Sequence, residues 1–116
     1  MSLGKNLKES KKEILFILLH LIPLGKVTTY KALARILKTS PRVVGQMLKL
    51  NNKPVIIPCH RVVRTSGDIG GYTLSSKENR EFKLKLLKLE DVELSEDKVS
   101  SENIIYLDEV LLGSSR

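Results

Sequence analysis

Thr28-Thr29-Tyr30-Lys31-Ala32-Leu33-Ala34-Arg35-Ile36-Leu37 runs into Lys38-Thr39-Ser40-Pro41-Arg42-Val43-Val44-Gly45-Gln46-Met47-Leu48-Lys49-Leu50, and this stretch decides the fold. Thr28 or Thr29 can cap a helix over 30–37, because a side-chain oxygen there accepts an otherwise unpaired N–H of the first turn. Ala32, Leu33, Ile36 and Leu37 recur at helical spacing. Ser40 is a good cap for a second helix over 41–50, and Pro41 suits its first position, where its missing N–H costs nothing. Two helices joined by a tight turn predict a helix-turn-helix.

The second of these helices sorts into faces. Val43, Val44, Met47 and Leu48 form an apolar side that can pack on the body. Arg42, Gly45, Gln46 and Lys49 fall at i, i+3, i+4 and i+7 and share the other side. A glycine inside a helix costs roughly 1 kcal/mol relative to alanine. On a basic, exposed face that cost makes sense where another backbone must approach closely.

Outward from this stretch, residues 6–21 predict a helix that is apolar nearly all round after Glu13 and so packs centrally. His20 in it reads as a core or half-exposed histidine. Pro23 and Gly25 end it. Val62-Val63, a turn at 65–68 and Gly70-Gly71-Tyr72 predict a hairpin or wing. A last strong helix is expected over 76–90, with Phe82, Leu86 and Leu89 on one stripe. Residues 91–98 are polar and read as extended. Residues 103–112 carry an apolar patch that can dock on the body or on a partner. The expected organisation is a domain over 1–90 and an acidic C-terminal tail over 91–116, mainly α with a small β wing.

The 116-residue chain has a net charge of +7, unevenly spread. Residues 1–90 hold 18 Lys and Arg against six acids, a net of +12, while 91–116 hold two against seven, a net of −5. A basic body points to a polyanion, with DNA or RNA first; a lysine-rich solvated surface is the plain alternative. No apolar run approaches the roughly 20 residues that a membrane span needs, so the expectation is a soluble, intracellular chain with no membrane partner. The one cysteine, Cys59, cannot form an internal disulfide or by itself build a zinc site; no metal is expected.

Cys59 sits in Ile57-Pro58-Cys59-His60-Arg61-Val62-Val63. The thiolate is the nucleophilic form of cysteine, and a free thiol near pH 8.5 is only a few per cent ionised at neutral pH. Adjacent His60 and Arg61 would favour the anion. On a strand, however, sequence neighbours point to opposite sides. His60 could then serve Cys59 only through a bend or a bridging water.

Pro58-Cys59-His60-Arg61, preceded by Ile56-Ile57 and followed by Val62-Val63, resembles the active-site signature of the O6-alkylguanine-DNA alkyltransferases. Gly25-Lys26-Val27-Thr28-Thr29-Tyr30 resembles the start of that family's helix-turn-helix. Ser40-Pro41-Arg42-Val43-Val44-Gly45 resembles its recognition helix, and Gly70-Gly71-Tyr72 its binding-site wing. The resemblance covers about residues 6–90. It implies a winged helix-turn-helix alkyltransferase domain that moves an alkyl group irreversibly from O6 of a flipped guanine in double-stranded DNA to Cys59. It implies His60 as the base that takes the thiol proton through a water, Glu90 as the carboxylate that orients His60, and Asn51 as the brace of the active-site turn. Arg42 matches the side chain that fills the gap left by the flipped base, and Tyr30 the tyrosine that promotes nucleotide rotation. Thr73 matches a donor to the guanine oxygen, and the backbone of Cys59 and Val62 would read the base edge. Thr29, Gly45, Gln46 and Lys49 fall on the DNA-binding side. No cofactor is implied, and the chain would act as a monomer wherever DNA is, in cytoplasm, nucleoid or nucleus. The sequence departs from the family pattern after Tyr72, where a pair of glycines is usual and Thr73-Leu74-Ser75-Ser76 stands here. It also departs in a longer stretch to Glu90, in the tail, and in lacking a counterpart to the family's further N-terminal domain. Two rivals compete: a lesion-binding relative without transfer activity, and a winged-helix regulator without chemistry.

Overall fold

A computed structural model describes residues 7–74 and 77–113. Helix α1 (Leu7–Leu19) is followed by strand β1 (Thr28–Thr29) and helices α2 (Tyr30–Leu37) and α3 (Pro41–Leu48). A short 3₁₀ turn (Cys59–Arg61) leads into β2 (Val62–Val63). The chain then forms β3 (Thr73–Leu74), β4 (Lys77–Glu78), α4 (Arg80–Leu89), β5 (Leu94–Ser95), β6 (Lys98–Val99) and α5 (Leu107–Leu112).

The helix-turn-helix forms as its caps predict. Thr29 Oγ1 accepts the Ala32 N–H at 3.0 Å and Ser40 Oγ the Val43 N–H at 3.2 Å, each relieving a first-turn donor. Lys38 ends α2 in a left-handed conformation. Ala32, Leu33, Leu37, Val44, Met47 and Leu48 are buried between α2, α3 and α1, with Val43 packed at their edge.

Both long helices are shorter than the periodicity suggests. The last turns of α1 tighten into i→i−3 bonds, such as Leu21 N–H to Leu18 O at 2.9 Å, ahead of Pro23. Helix α4 begins only after Asn79, whose side chain caps the Phe82 N–H. Asn6 and Ser76, the expected starts, lie outside the described residues. The stripe on α4 is also turned by one residue. Leu89 is 80% exposed, and the fully buried pair is Lys83 and Leu87. His20 is exposed, with its ring nitrogens against the carbonyls of Phe16 and Ile56.

Val62–Val63 is not half of a hairpin. It pairs in parallel with Thr28–Thr29, so the active-site turn is stitched to the start of the helix-turn-helix. The wing hairpin comes later, with Thr73 opposite Glu78 and Leu74 opposite Lys77.

The segment after Glu90 is built into the fold. Strands β5 and β6 form a hairpin that docks on the loop before the wing, through Val99 N–H to Gly67 O and Ile69 N–H to Asp97 O. Val99 and Val92 join Val27, Val63, Ile69 and Leu87 in a second apolar cluster. Ile104 pairs with Val27, and α5 packs on α2 with Leu107 buried and Asp108 held by Arg35 Nη1 at 3.1 Å. Docking on the body, rather than exposure to a partner, is the outcome for the patch at 103–112, although Val110, Leu111 and Leu112 still face outward.

Leu107→Ala should therefore destabilise the protein by about 2–4 kcal/mol, the usual cost of emptying a buried leucine site. Urea unfolding measures it; a loss below about 0.5 kcal/mol, the level of a surface change, would mean that α5 is undocked in solution.

Candidate active site

The turn that carries the cysteine is built from Pro58. Its φ of −80° and ψ of 63° and the bond from Cys59 N–H to Ile57 O at 2.7 Å make an inverse γ-turn. The proline ring presets that φ. The chain then enters the 3₁₀ turn instead of a strand, so Cys59 and His60 do not alternate across a pleat. Asn51 braces the bend from the end of α3. Its Nδ2 donates to Ile57 O at 2.9 Å and to Cys59 Sγ at 3.1 Å, while its Oδ1 accepts the Lys53 N–H. A donor aimed at sulfur is the partner that an anionic sulfur takes best.

His60 is fully buried. Its Nε2 lies 2.8 Å from Glu90 Oε2, so Nε2–H donates and the lone pair stays on Nδ1, which has no hydrogen-bond partner among the described residues. Burial pushes His60 below its usual 6.5, against the pull of the Glu90 carboxylate, and the ring is neutral at pH 7. Glu90, at the C-cap of α4, also receives a fork from Arg61: Nε to Oε1 at 2.9 Å and Nη2 to Oε2 at 3.0 Å. Although burial works the other way, these donors hold the Glu90 carboxyl below its ordinary value. The acid at the wrong end of a helix dipole is thus paid for by two cationic or donor partners. Arg61 is turned away from the thiol towards Glu90 and the Ile22 carbonyl.

Cys59 opens onto a cleft of about 590 Å³, lined also by Tyr30, Arg42, Gly45, Lys49, Tyr72 and Thr73. The structure thus gathers Cys59 and five of the residues expected to contact DNA or the base on one concavity. Arg42 stands exposed at its rim. Gly45 presents open space, since an added Cβ would meet nothing within 4 Å. Gly70 takes a positive φ of 73°, which favours glycine, and lies against the Tyr30 ring. Burial pushes the Tyr30 phenol up to about 12. Burial and the nearby Cys59 sulfur raise that of Tyr72 as well.

Three of the residues expected to contact DNA or the base stand apart from the cleft lining. Gln46 is exposed on α3. Thr29 is fully buried with its hydroxyl spent on the α2 cap, so its side chain is not offered to DNA. Val62 is buried, and its carbonyl accepts from Lys83 Nζ at 2.7 Å, which commits one of that oxygen's two lone pairs.

Lys83 is the group that the sequence reading missed. It is fully buried, bonds the Gly71 carbonyl as well at 3.2 Å, and lies 5.8 Å from the centre of the Tyr30 ring. Burial pushes it down to about 7. Its signal in the sequence was a lysine four residues before Leu87 on the side of α4 that faces the core. Among the described residues no cluster of side chains suits a metal ion, and no helix is long and apolar enough to cross a membrane.

The chain is similar to several known proteins. Residues 10–92 match the family described as 6-O-methylguanine DNA methyltransferase, DNA binding domain. A methylated-DNA–protein-cysteine methyltransferase of Archaeoglobus fulgidus is 52% identical over 73 residues, 61% of this chain and 49% of that protein. The crystal structure of the O6-methylguanine-DNA methyltransferase of Pyrococcus kodakaraensis is similar with a TM-score of 0.60 at 43% identity, over 70% of this chain and 46% of that one. That of S. pombe Atl1, in complex with damaged DNA containing O6-carboxymethylguanine, is similar with a TM-score of 0.72 at 26% identity, over 84% and 95%. The chain spans about half the length of the curated relatives it matches. With the matched segment running from α1 through Glu90, the chain belongs to the 6-O-methylguanine DNA methyltransferase family and contains that family's DNA-binding domain.

Proposed function

We propose that the protein repairs DNA by moving an alkyl group from O6 of guanine to Cys59, once per molecule. The observation that carries this reading is the cysteine itself. It opens onto the cleft with an amide donor on its sulfur, beside a neutral histidine whose Nδ1 lone pair is uncommitted. His60 takes the thiol proton through a water, with Glu90 and Arg61 fixing the ring. The sulfur attacks the alkyl carbon, an S–C bond forms as the C–O6 bond breaks, and the electron pair passes into the guanine. The base then takes up a proton, so the net change is thiol plus alkylguanine to thioether plus guanine. The thioether is not reversed, and no cofactor enters the balance.

An alkylated O6 is out of reach inside a stacked duplex, so the base must leave the helix. Arg42, at the rim of the cleft, fills the gap. Tyr30 and Thr73 contact the flipped guanine. Lys49, Gly45 and Gln46 on α3 lie along the duplex, where charge grips phosphates without reading sequence. Residues 1–90 form the unit that binds DNA and accepts the alkyl group, and 91–116 support it. One protomer holds every group named, so a monomer suffices, and a DNA substrate places its work inside the cell.

Incubation with a duplex bearing O6-methylguanine should add one methyl group, about 14 Da, to Cys59 by intact and peptide mass. Lesion binding without a mass gain would instead make the protein a non-transferring binder, and no preference for the lesion would leave a winged-helix regulator. Arg42→Ala should slow transfer from duplex by about ten-fold or more while sparing attack on the free base, the signature of a flipping role; equal losses on both substrates would remove that role.

The pH dependence follows from His60. Its folded pKa is below 6.5, so the base is unprotonated at neutral pH. Transfer should hold down to pH 6.5 and fall about ten-fold per unit only at lower pH. The fold should weaken in the same direction, because below 6.5 the unfolded chain takes up the proton more readily than the folded one. Single-turnover rates across pH test this; an acid limb centred above 6.5 would exclude buried His60 as the base.

A further inference from the structure

The wing hairpin brings a carboxylate to the wall of the cleft. Glu78, on β4, lines it beside Cys59 and Tyr30. Its Oε1 accepts the Tyr72 N–H at 3.2 Å. That oxygen lies 2.6 Å from where a Cβ on residue 71 would stand, so the carboxylate rests in space that only glycine leaves open. Every other charged side chain on the lining is a cation: Lys31, Arg42, Lys49 and Arg64. Among the described residues Glu78 makes a salt bridge with none of them, and its charge reaches the phenol of Tyr30, which it helps to raise.

We propose that Glu78 is a specificity-determining residue that biases the cleft towards neutral alkyl groups on guanine and against alkyl groups that carry negative charge. The inference rests on the alkyl-transfer reading above. Repulsion between like charges needs no hydrogen-bond alignment and falls only slowly with distance, so it acts in any pose of the flipped base. Inside a cleft closed by DNA it is screened less than on the surface. A methyl group is indifferent to it, and a carboxymethyl group is not.

The test compares the full chain with Glu78→Gln on two duplexes, one bearing O6-methylguanine and one O6-carboxymethylguanine. The readout is the rate of mass gain at Cys59. Glutamine keeps an oxygen for the Tyr72 N–H and removes only the charge. The ratio of carboxymethyl to methyl transfer should rise about five-fold in the variant. Added salt should narrow the gap between the two ratios, because it screens the repulsion that only the wild type carries. A ratio that does not move overturns the proposal, including the case where both rates fall together, which marks a structural role for the hairpin. A wild type that transfers neither group overturns the alkyl-transfer reading, and the selectivity with it.

Discussion

The Glu90 carboxylate is the joint on which the site depends. One oxygen meets His60 and the Arg61 fork takes both. Through them the end of α4 is fastened to the turn that carries Cys59. The backbone repeats the tie from the other side: Gly25, at a φ of 85°, leaves room for the Glu90 carbonyl, which would stand 3.3 Å from any Cβ there. Removing one partner of so enclosed a charge cluster strands the rest and costs on the order of 3 kcal/mol. The same contacts fix the histidine tautomer, so stability and chemistry draw on one set of bonds.

Around that joint the cleft is assembled from parts distant in the chain. Tyr30 comes from α2, Arg42 and Lys49 from α3 and its end, Cys59 from the 3₁₀ turn, and Thr73 and Glu78 from the wing. Lys83 is the internal tie among them. It spans the carbonyls of Val62 and Gly71, one on each side of the loop between β2 and the wing, and among the described residues no carboxylate pairs with it. A buried ammonium without a counter-ion is held by dipoles alone, which accounts for how far burial lowers it.

Much of this was legible in the sequence, and for physical reasons. Thr29, Ser40 and Pro41 announce helix starts through purely local bonding, so α2 and α3 came out with their faces correctly sorted. Cys59, His60, Asn51 and Glu90 were singled out by resemblance, and the structure sets Asn51 on the Cys59 sulfur and His60 on the Glu90 carboxylate. What escaped was tertiary. Nothing local says that Val62–Val63 will choose Thr28–Thr29 as its partner, because parallel pairing is decided across 34 residues of register. The turn of the α4 stripe to Lys83 and Leu87 escaped for the same reason: an apolar pattern fixes a face only to within a residue, and the packing against Val62 and Gly71 chose the lysine. Arg61 read as a neighbour of the thiol because adjacency in sequence was the only geometry to hand.

The pairing of Val27 with Ile104 also governs time. Val27 N–H is satisfied by Asn103 O, and its carbonyl by Ile105 N–H, so the strand that precedes α2 waits for residues made more than 70 positions later. Contacts this distant pay their loop-closure entropy late and slow folding. On the ribosome the helix-turn-helix can collapse early, while the edge at Val27 and the second apolar cluster stay open until the last segment emerges. Until then the nascent chain presents apolar surface that the last segment later covers.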